Sequence, residues 1–291
     1  MRIVSLLPST TEMLFALGAG DEVVGVTFEC DHPAQARERR VVSTSAMPSG
    51  LSPVEIDTYV AAALARGEDL YRLDSDALAG LDADLVVTQD LCAVCAVDVS
   101  VVDDALTFLG CTADVLTVDP HTVAEVLASV RLLGRATDRL PAADALVASL
   151  EARLDVVRRD VAARVAAGWV RPRVLVLEWT DPPYAPGHWI PEMVGLAGGE
   201  CVLGEAGATS TRVPWSAVEG CRPDVVVVAP CGYDRAGAQA QADALVAAGR
   251  LPAGALVHAV DADGHWARPG PRIVDGVEEL AAVLAGWTGG R

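Results

Sequence analysis

Short runs of β-branched residues and leucine recur along this chain, each leading into a segment of helical spacing. That alternation restricts the fold more than any other feature. The runs are Arg2–Leu6, Val23–Thr27, Leu70–Leu73, Leu85–Gln89, Asp114–Val118, Arg173–Trp179, Val225–Ala229 and Ala255–Val260, with a shorter apolar piece at Arg40–Ser43. Most are apolar on consecutive rather than alternate residues, the pattern of strands covered on both faces. The fold class is therefore α/β, with parallel sheets under helices. The helical segments are Thr10–Leu17, Val97–Leu109, Trp189–Leu196, Gln239–Gly249, Pro271–Trp287 and a helix ending at Arg66. That last helix has Ser52 as its cap, Pro53 in its first turn and Gly67 at its end.

The middle of the chain reads differently. Thr122–Arg135 and Pro141–Gly168 are helical with no strand between them, and Leu146, Leu150, Leu154, Val157 and Val161 form an apolar stripe on the second. At 1.5 Å per residue that helix is roughly 40 Å long, the span of a small domain. The expected organisation is two Rossmann-like parallel-sheet lobes, 1–120 and 169–291, joined by a long rigid spine over 121–168.

Composition narrows the functions. The 291 residues suffice for two cores, and the formal charge of −18 opposes nucleic-acid binding. All the basic side chains are arginine, which excludes a lysine Schiff base and a P-loop lysine. No apolar run reaches the ~18 residues of a membrane span, so membrane insertion is not expected. The opening Met1-Arg-Ile-Val-Ser-Leu-Leu-Pro8 is too short for an export signal, and a cytoplasmic location is the resulting expectation.

Four cysteines stand just beyond strand ends, where open parallel sheets bind their ligands: Cys30, Cys92, Cys95 and Cys231. Their convergence on one metal would suit a thiophilic ion, whether an iron–sulfur cluster or zinc. Cys111, Cys201 and Cys221 lack that position and read as interior filler. Glu178 ends a buried run and is expected to point into a cleft, since an uncompensated buried carboxylate is costly. With Asp90 and His188 it forms the candidate proton-handling set. Glu29, Asp31 and His32 flank Cys30, and His121, His258 and His265 are weaker candidates. Trp179, Trp189 and Trp266 lie near predicted strand ends, where their rings could cover a flat macrocycle. Tyr233 and Arg268 would complete that ligand-binding set.

The opening Arg2-Ile-Val-Ser-Leu-Leu-Pro-Ser-Thr-Thr-Glu12, the following Val24-Gly-Val26 and the strand Asp82-Ala-Asp-Leu-Val-Val-Thr88 resemble the class III periplasmic binding proteins for vitamin B12 and iron siderophores. The two lobes and the spine helix agree with that resemblance over nearly the whole chain. It implies a binding protein holding cobalamin or a related metal chelate between its lobes. Glu12 and Glu192 would correspond to the lobe-surface acids with which secreted relatives dock on permease arginines. Lacking an apparent leader, the chain looks more like a cytoplasmic branch labelled cobalamin-binding, for which docking on an ABC permease is not expected. The residues themselves keep a second reading open, a cytoplasmic metalloenzyme or metal carrier using the thiols.

Overall fold

The computed structural model describes residues 1–89 and 113–289. Asp90, Cys92, Cys95, Cys111 and the helix expected over 97–109 lie outside the described residues. The chain divides into two compact units. Unit 1 comprises Met1–Pro120 and Leu127–Val147, and unit 2 comprises His121–Val126 and Ala148–Arg291.

Unit 1 contains β1 (Ile3–Ser5), α1 (Pro8–Ala16), β2 (Val23–Val26), β3 (Arg40–Val41), β4 (Ser43–Ser45), α2 (Pro53–Ala65), β5 (Tyr71–Leu73), α3 (Ser75–Leu78), β6 (Leu85–Thr88) and β7 (Asp114–Thr117). Five strands form a parallel sheet in the order β3-β2-β1-β6-β7, and β4 and β5 pair antiparallel beside it. The chain runs outward from β1 in one direction and then returns to its other side at β6. The β1/β6 junction is therefore the switch point of the sheet, outside which such folds bind ligands. Ile3 pairs with Leu85 and Ser5 with Val87, so the two strands end level with one another. Val4, Leu6, Val42, Leu70, Leu78 and Val86 make one buried cluster. Helix α2 begins with a reciprocal cap between Ser52 and Glu55, with Pro53 in its first turn.

Two helices follow, α4 (Val123–Ala136) and α5 (Leu140–Ala166). Gly134 lets them approach, because a side-chain carbon there would lie 2.5 Å from the Ala143 Cβ. Helix α5 has 27 residues and buries Ala143, Val147, Leu150, Leu154, Val157 and Val161 at alternating four- and three-residue steps. The expected stripe thus holds from Leu150 onward, but at its start Ala143 and Val147 turn inward in place of Leu146, which is half-buried. Ala143 takes its position because Gly134 of α4 lies directly against it.

Unit 2 continues with β8 (Arg173–Leu177), β9 (Trp179–Thr180), β10 (Pro183–Ala185), α6 (Ile190–Leu196), β11 (Glu200–Cys201), β12 (Thr211–Arg212), α7 (Trp215–Gly220), β13 (Val225–Val228), α8 (Arg235–Ala247), β14 (Leu256–Ala259), α9 (Ala262–His265) and α10 (Ile273–Gly286). Four strands form a parallel sheet in the order β11-β8-β13-β14, which puts its switch point between β8 and β13. Every residue of Val174–Leu177 and Val225–Val228 is fully buried. Leu175, Leu177, Val226 and Val228 pack on one face against α7 and α8. On the other face, Val174 lies beside Val194 and Leu284 near Gly199. Each of these side chains contributes about 1.5–3 kcal/mol by leaving water. Arg153 ties α5 to α10 through Asp275 at 2.5 Å and Glu278 at 2.5 and 2.9 Å. The short antiparallel sheet β12-β10-β9 has no counterpart among the expected elements.

Truncating a central side chain of this packing tests the two-faced burial. Leu175→Ala is expected to lower unfolding free energy by about 2–5 kcal/mol in urea denaturation. A loss below about 1 kcal/mol would show that the sheet face is not closely covered.

Candidate functional site

In unit 2 the candidate residues gather at the carboxyl ends of β8, β13 and β14. The Cys231 amide donates to the Glu178 carbonyl at 3.1 Å, and the Asp263 amide donates to the Tyr233 carbonyl at 3.0 Å. These bonds join the three loops into one edge. On it the rings of Trp179 and Tyr233 meet, with centroids 5.9 Å apart and planes tilted by 56°. Both side chains are half-buried, and burial raises the Tyr233 phenol above its ordinary pKa, keeping it protonated. Cys231 is exposed on the same loop.

The Glu178 carboxylate accepts from the Gly187 amide at 3.3 Å, which brings the His188 turn to this edge. Gly187 admits no side chain, because a Cβ there would fall 2.3 Å from the Ala208 carbonyl oxygen. His188 takes a positive φ of 50° and pairs with the next loop, donating to Ala208 at 2.6 Å and accepting from Gly207 at 2.9 Å. Its imidazole stands 5.5 Å from that of His121 and 5.6 Å from the Trp189 ring. Burial first, and the nearby His121 second, lower the pKa of His188, so the ring is neutral near pH 7. A neutral imidazole can accept a hydrogen bond or coordinate a metal.

His121 is the residue that the sequence reading undervalued. The signal lies in Thr122-Val-Ala-Glu125, a capping pattern. Glu125 Oε2 accepts from the His121 amide at 2.6 Å and from Thr122 at 3.1 Å, and the Glu125 amide donates to Thr122 Oγ1 at 3.1 Å. Glu192 adds a further cap, accepting from the Val123 amide at 2.7 Å. The start of α4 thereby holds His121 against His188.

The remaining candidates of unit 2 have interior places. Trp266 is fully buried, and Trp189, 5% exposed, donates its indole N–H to the Trp266 carbonyl at 2.7 Å. The two rings pack the base of the loops. Arg268 is buried and chelates Asp263 through contacts of 3.2 and 2.6 Å, closing its own loop. His258, His265 and Arg235 surround Glu279, whose carboxyl they hold well below the usual carboxylate range against the opposing effect of burial. Cys201, beside a backbone carbonyl, is pushed up to about 11 by burial and is a poor nucleophile. A groove of about 580 Å³ lies at the opposite end of the strands, lined by Glu219, Arg222, Asp224, Leu256 and Trp287, away from all of these groups.

In unit 1 a smaller set occupies the equivalent end of β2. Exposed Phe28 packs on Tyr71 at 5.8 Å, and the Tyr71 hydroxyl donates to Glu29 Oε2 at 2.8 Å. Cys30 is buried, with its sulfur 3.0 Å from Thr11 Oγ1. His32 is exposed, and Asp31 faces Arg37 at 3.4 Å. Glu12, expected at the surface, is only 4% exposed. Its place is on the buried face of α1.

The expected four-thiol metal centre is not supported. Cys92 and Cys95 lie outside the described residues, as does Asp90, and among the described residues no three or more His, Cys, Asp or Glu side chains are grouped to hold a metal ion. Neither an iron–sulfur cluster nor a zinc site gains support from the placement of Cys30 and Cys231.

Parallel sheets with ligand-type residues at their carboxyl ends define a solute-binding α/β protein, and residues 3–255 match the family described as periplasmic binding protein. The chain belongs to that family. Among its relatives is an uncharacterized ABC transporter substrate-binding lipoprotein, YvrC of Bacillus subtilis. It is 27% identical over 97% of this chain and 79% of its own length. Solved structures share the fold. The periplasmic heme-binding protein RhuT from Roseiflexus sp. RS-1 has a TM-score of 0.70 at 22% identity, covering 97% of each chain. The periplasmic vitamin B12 binding protein BtuF of Vibrio cholerae has a TM-score of 0.63 at 20% identity, covering 98% of this chain and 96% of its own. The long helix α5 agrees with this fold. The match is to the family as a whole and does not single out the leaderless cobalamin-binding branch. The expectation of a cytoplasmic chain is overturned, because the curated relative is a lipoprotein and the solved relatives are periplasmic.

The environment of His188 gives a titration to check. Its midpoint by NMR is expected below 6.5 and should rise part of the way back in His121→Asn, since burial, the larger cause, remains. The folded state disfavours the proton here. The stability linked to His188 is therefore complete above about pH 6.5 and lost as pH falls through the folded midpoint. An unchanged midpoint in His121→Asn would remove the coupling between the two rings.

Proposed function

We propose that this chain is the substrate-binding component of an ABC importer and that its ligand is a metal tetrapyrrole of the heme or cobalamin class. The observation that carries the ligand reading is the Trp179–Tyr233 ring pair at the switch point of unit 2, on the same edge as the neutral imidazole of His188. A tetrapyrrole is a flat apolar disc with a metal at its centre. Tilted aromatic rings cover such a face by dispersion and area burial, and a neutral imidazole supplies a donor for the metal. Relatives described as binding heme and vitamin B12 support the same ligand class. Membership of the family makes docking on a permease consistent with the rest of the reading.

Titration of the purified chain with hemin and, separately, with hydroxocobalamin tests this by tryptophan quenching and visible absorption. One of the two is expected to bind saturably at micromolar or lower Kd. Trp179→Ala should weaken that binding about tenfold or more, the scale of losing a buried aromatic anchor. If neither ligand binds at tens of micromolar, or if Trp179→Ala binds like the parent chain, the reading is wrong.

A further inference from the structure

A cluster of charges in unit 2 ties together three segments that support the Trp179–Tyr233 edge. Glu279 on α10 stands at its centre. Its Oε1 accepts from Arg235 Nη2 at 2.7 Å and from His258 Nε2 at 2.9 Å, and its Oε2 is 4.0 Å from His265 Nδ1. Arg235 opens α8, His258 belongs to β14 and His265 ends α9. The Glu279 and His265 side chains are only 20% and 25% exposed, so solvent screens their contact less than on an open surface.

The same segments hold Tyr233 in place. Its ring lies on the first turn of α8, because a side-chain carbon at Gly237 would fall 2.8 Å from its Cδ1. Arg235 also donates to the Ala259 carbonyl at 3.0 Å, which pins that turn to the end of β14. From α9, the Asp263 amide donates to the Tyr233 carbonyl at 3.0 Å. Helix α9 in turn rests on α10, with the His265 carbonyl oxygen 2.7 Å from where a Cβ on Gly276 would stand. The supports of the ring therefore converge on Glu279.

One of these ties depends on a proton. His265 Nδ1 is buried without a hydrogen-bond partner among the described residues, so its contact with Glu279 is one of charge. Around the His265 ring stand Glu279 and Asp275 from α10, Asp261 at the start of α9 and Arg272 just before α10, while His258 and Arg235 share Glu279. Glu279 first, with Asp261 and Asp275 adding to it, raises the His265 pKa above its ordinary value against burial and Arg272. The Glu279 carboxyl is held well below the usual carboxylate range, so it stays ionised while the histidine titrates.

We propose that Glu279 is a positioning residue for the Trp179–Tyr233 edge, a clasp that is closed while His265 carries a proton and slackens when the proton leaves. The contact is complete below about pH 6.5 and is lost as pH rises through the folded midpoint of His265. His188 titrates in the opposite window, below 6.5, so the two histidines are separable. Neutral His265 gives up its charge attraction to Glu279, which loosens the hold of α10 on α9 and with it the bond from Asp263 to Tyr233. A ligand on this edge is then held more tightly in mildly acidic surroundings and released more easily in alkaline ones. Only that consequence rests on the ring pair being where the ligand binds.

The unliganded full chain tests the clasp by NMR, without any substitution. Hydrogen exchange of the Asp263 amide, corrected for the intrinsic pH dependence of exchange, is expected to quicken about threefold between about pH 6 and pH 9, the scale of one partly exposed ion pair. The step should share its midpoint with the His265 ring. Glu279→Gln should lower that midpoint, and His265→Asn should leave the Asp263 amide at its faster corrected rate throughout. Circular dichroism and thermal midpoints establish that the variants fold; where one does not, the titration of the parent chain decides. Constant corrected exchange in the parent chain, or a step that does not follow the His265 ring, overturns the proposal. Hemin and hydroxocobalamin are then titrated at about pH 6 and pH 8.5 on the parent chain and on His265→Asn, so that any pH dependence of the ligand itself cancels. Whichever binds is expected to lose about threefold more affinity on the parent chain, and equal losses overturn the positioning role. If neither binds, the tetrapyrrole reading fails and the exchange measurement alone decides the clasp.

Discussion

Burial of parallel strands on both faces is the constraint on which the rest of this structure depends. In the middle of β8 and β13 every side chain is enclosed, and the two strands pair with one another from Val174–Val225 to Leu177–Val228. Polar chemistry has no place along such a strand, only at its ends. The loops after β8, β13 and β14 therefore collect Glu178, Trp179, Cys231 and Tyr233, and backbone bonds between the loops fix their spacing. The same holds in unit 1, where Cys30 and the hydroxyls of α1 follow β2 and β1. Position comes from the sheet, and chemistry from whichever residues follow it.

Loss of the cytoplasmic expectation changes how the thiols are read. A reducing compartment would add its own argument, because unpaired cysteines there point to metal or redox chemistry. That ground is gone, and the four described cysteines are individual free thiols in four different settings. One is packed on a threonine hydroxyl, two bond backbone carbonyls, and one is exposed. Of these, Cys30 and Cys231 follow strands, while Cys201 lies within β11 and Cys221 at the end of α7. The imidazoles fare differently, because His121 and His188 are held together by backbone bonds at both of their turns.

The strands were legible because unbroken valine runs have few alternative conformations, and the later stripe of α5 because its spacing is regular. The start of that stripe was not, since the close approach allowed by Gly134 places the small Ala143 at the contact. The antiparallel sheet of unit 2 has strands of two or three residues, too short for any periodicity. Of the six tryptophans, composition could say that they were many but not which were buried. Trp179 faces a tyrosine at the edge, while Trp266 lies wholly in the interior. His121 was hidden because its neighbour His188 is 67 positions away in sequence (188 − 121) and only the cap at Glu125 hints at its placement.

The two units are interleaved in sequence, with His121–Val126 belonging to one and the following Leu127–Val147 to the other. No single cut of the chain yields both units whole. A break before His121 leaves unit 1 without Leu127–Val147, and a break after Val147 carries the first piece of unit 2 away with unit 1. On the ribosome, unit 1 cannot be completed until all of α4 and the start of α5 have emerged. Recombination that exchanged one unit for a relative's would need three matched crossovers rather than one. The two units of such a chain are thus inherited together, and divergence between relatives has to come through substitutions within them.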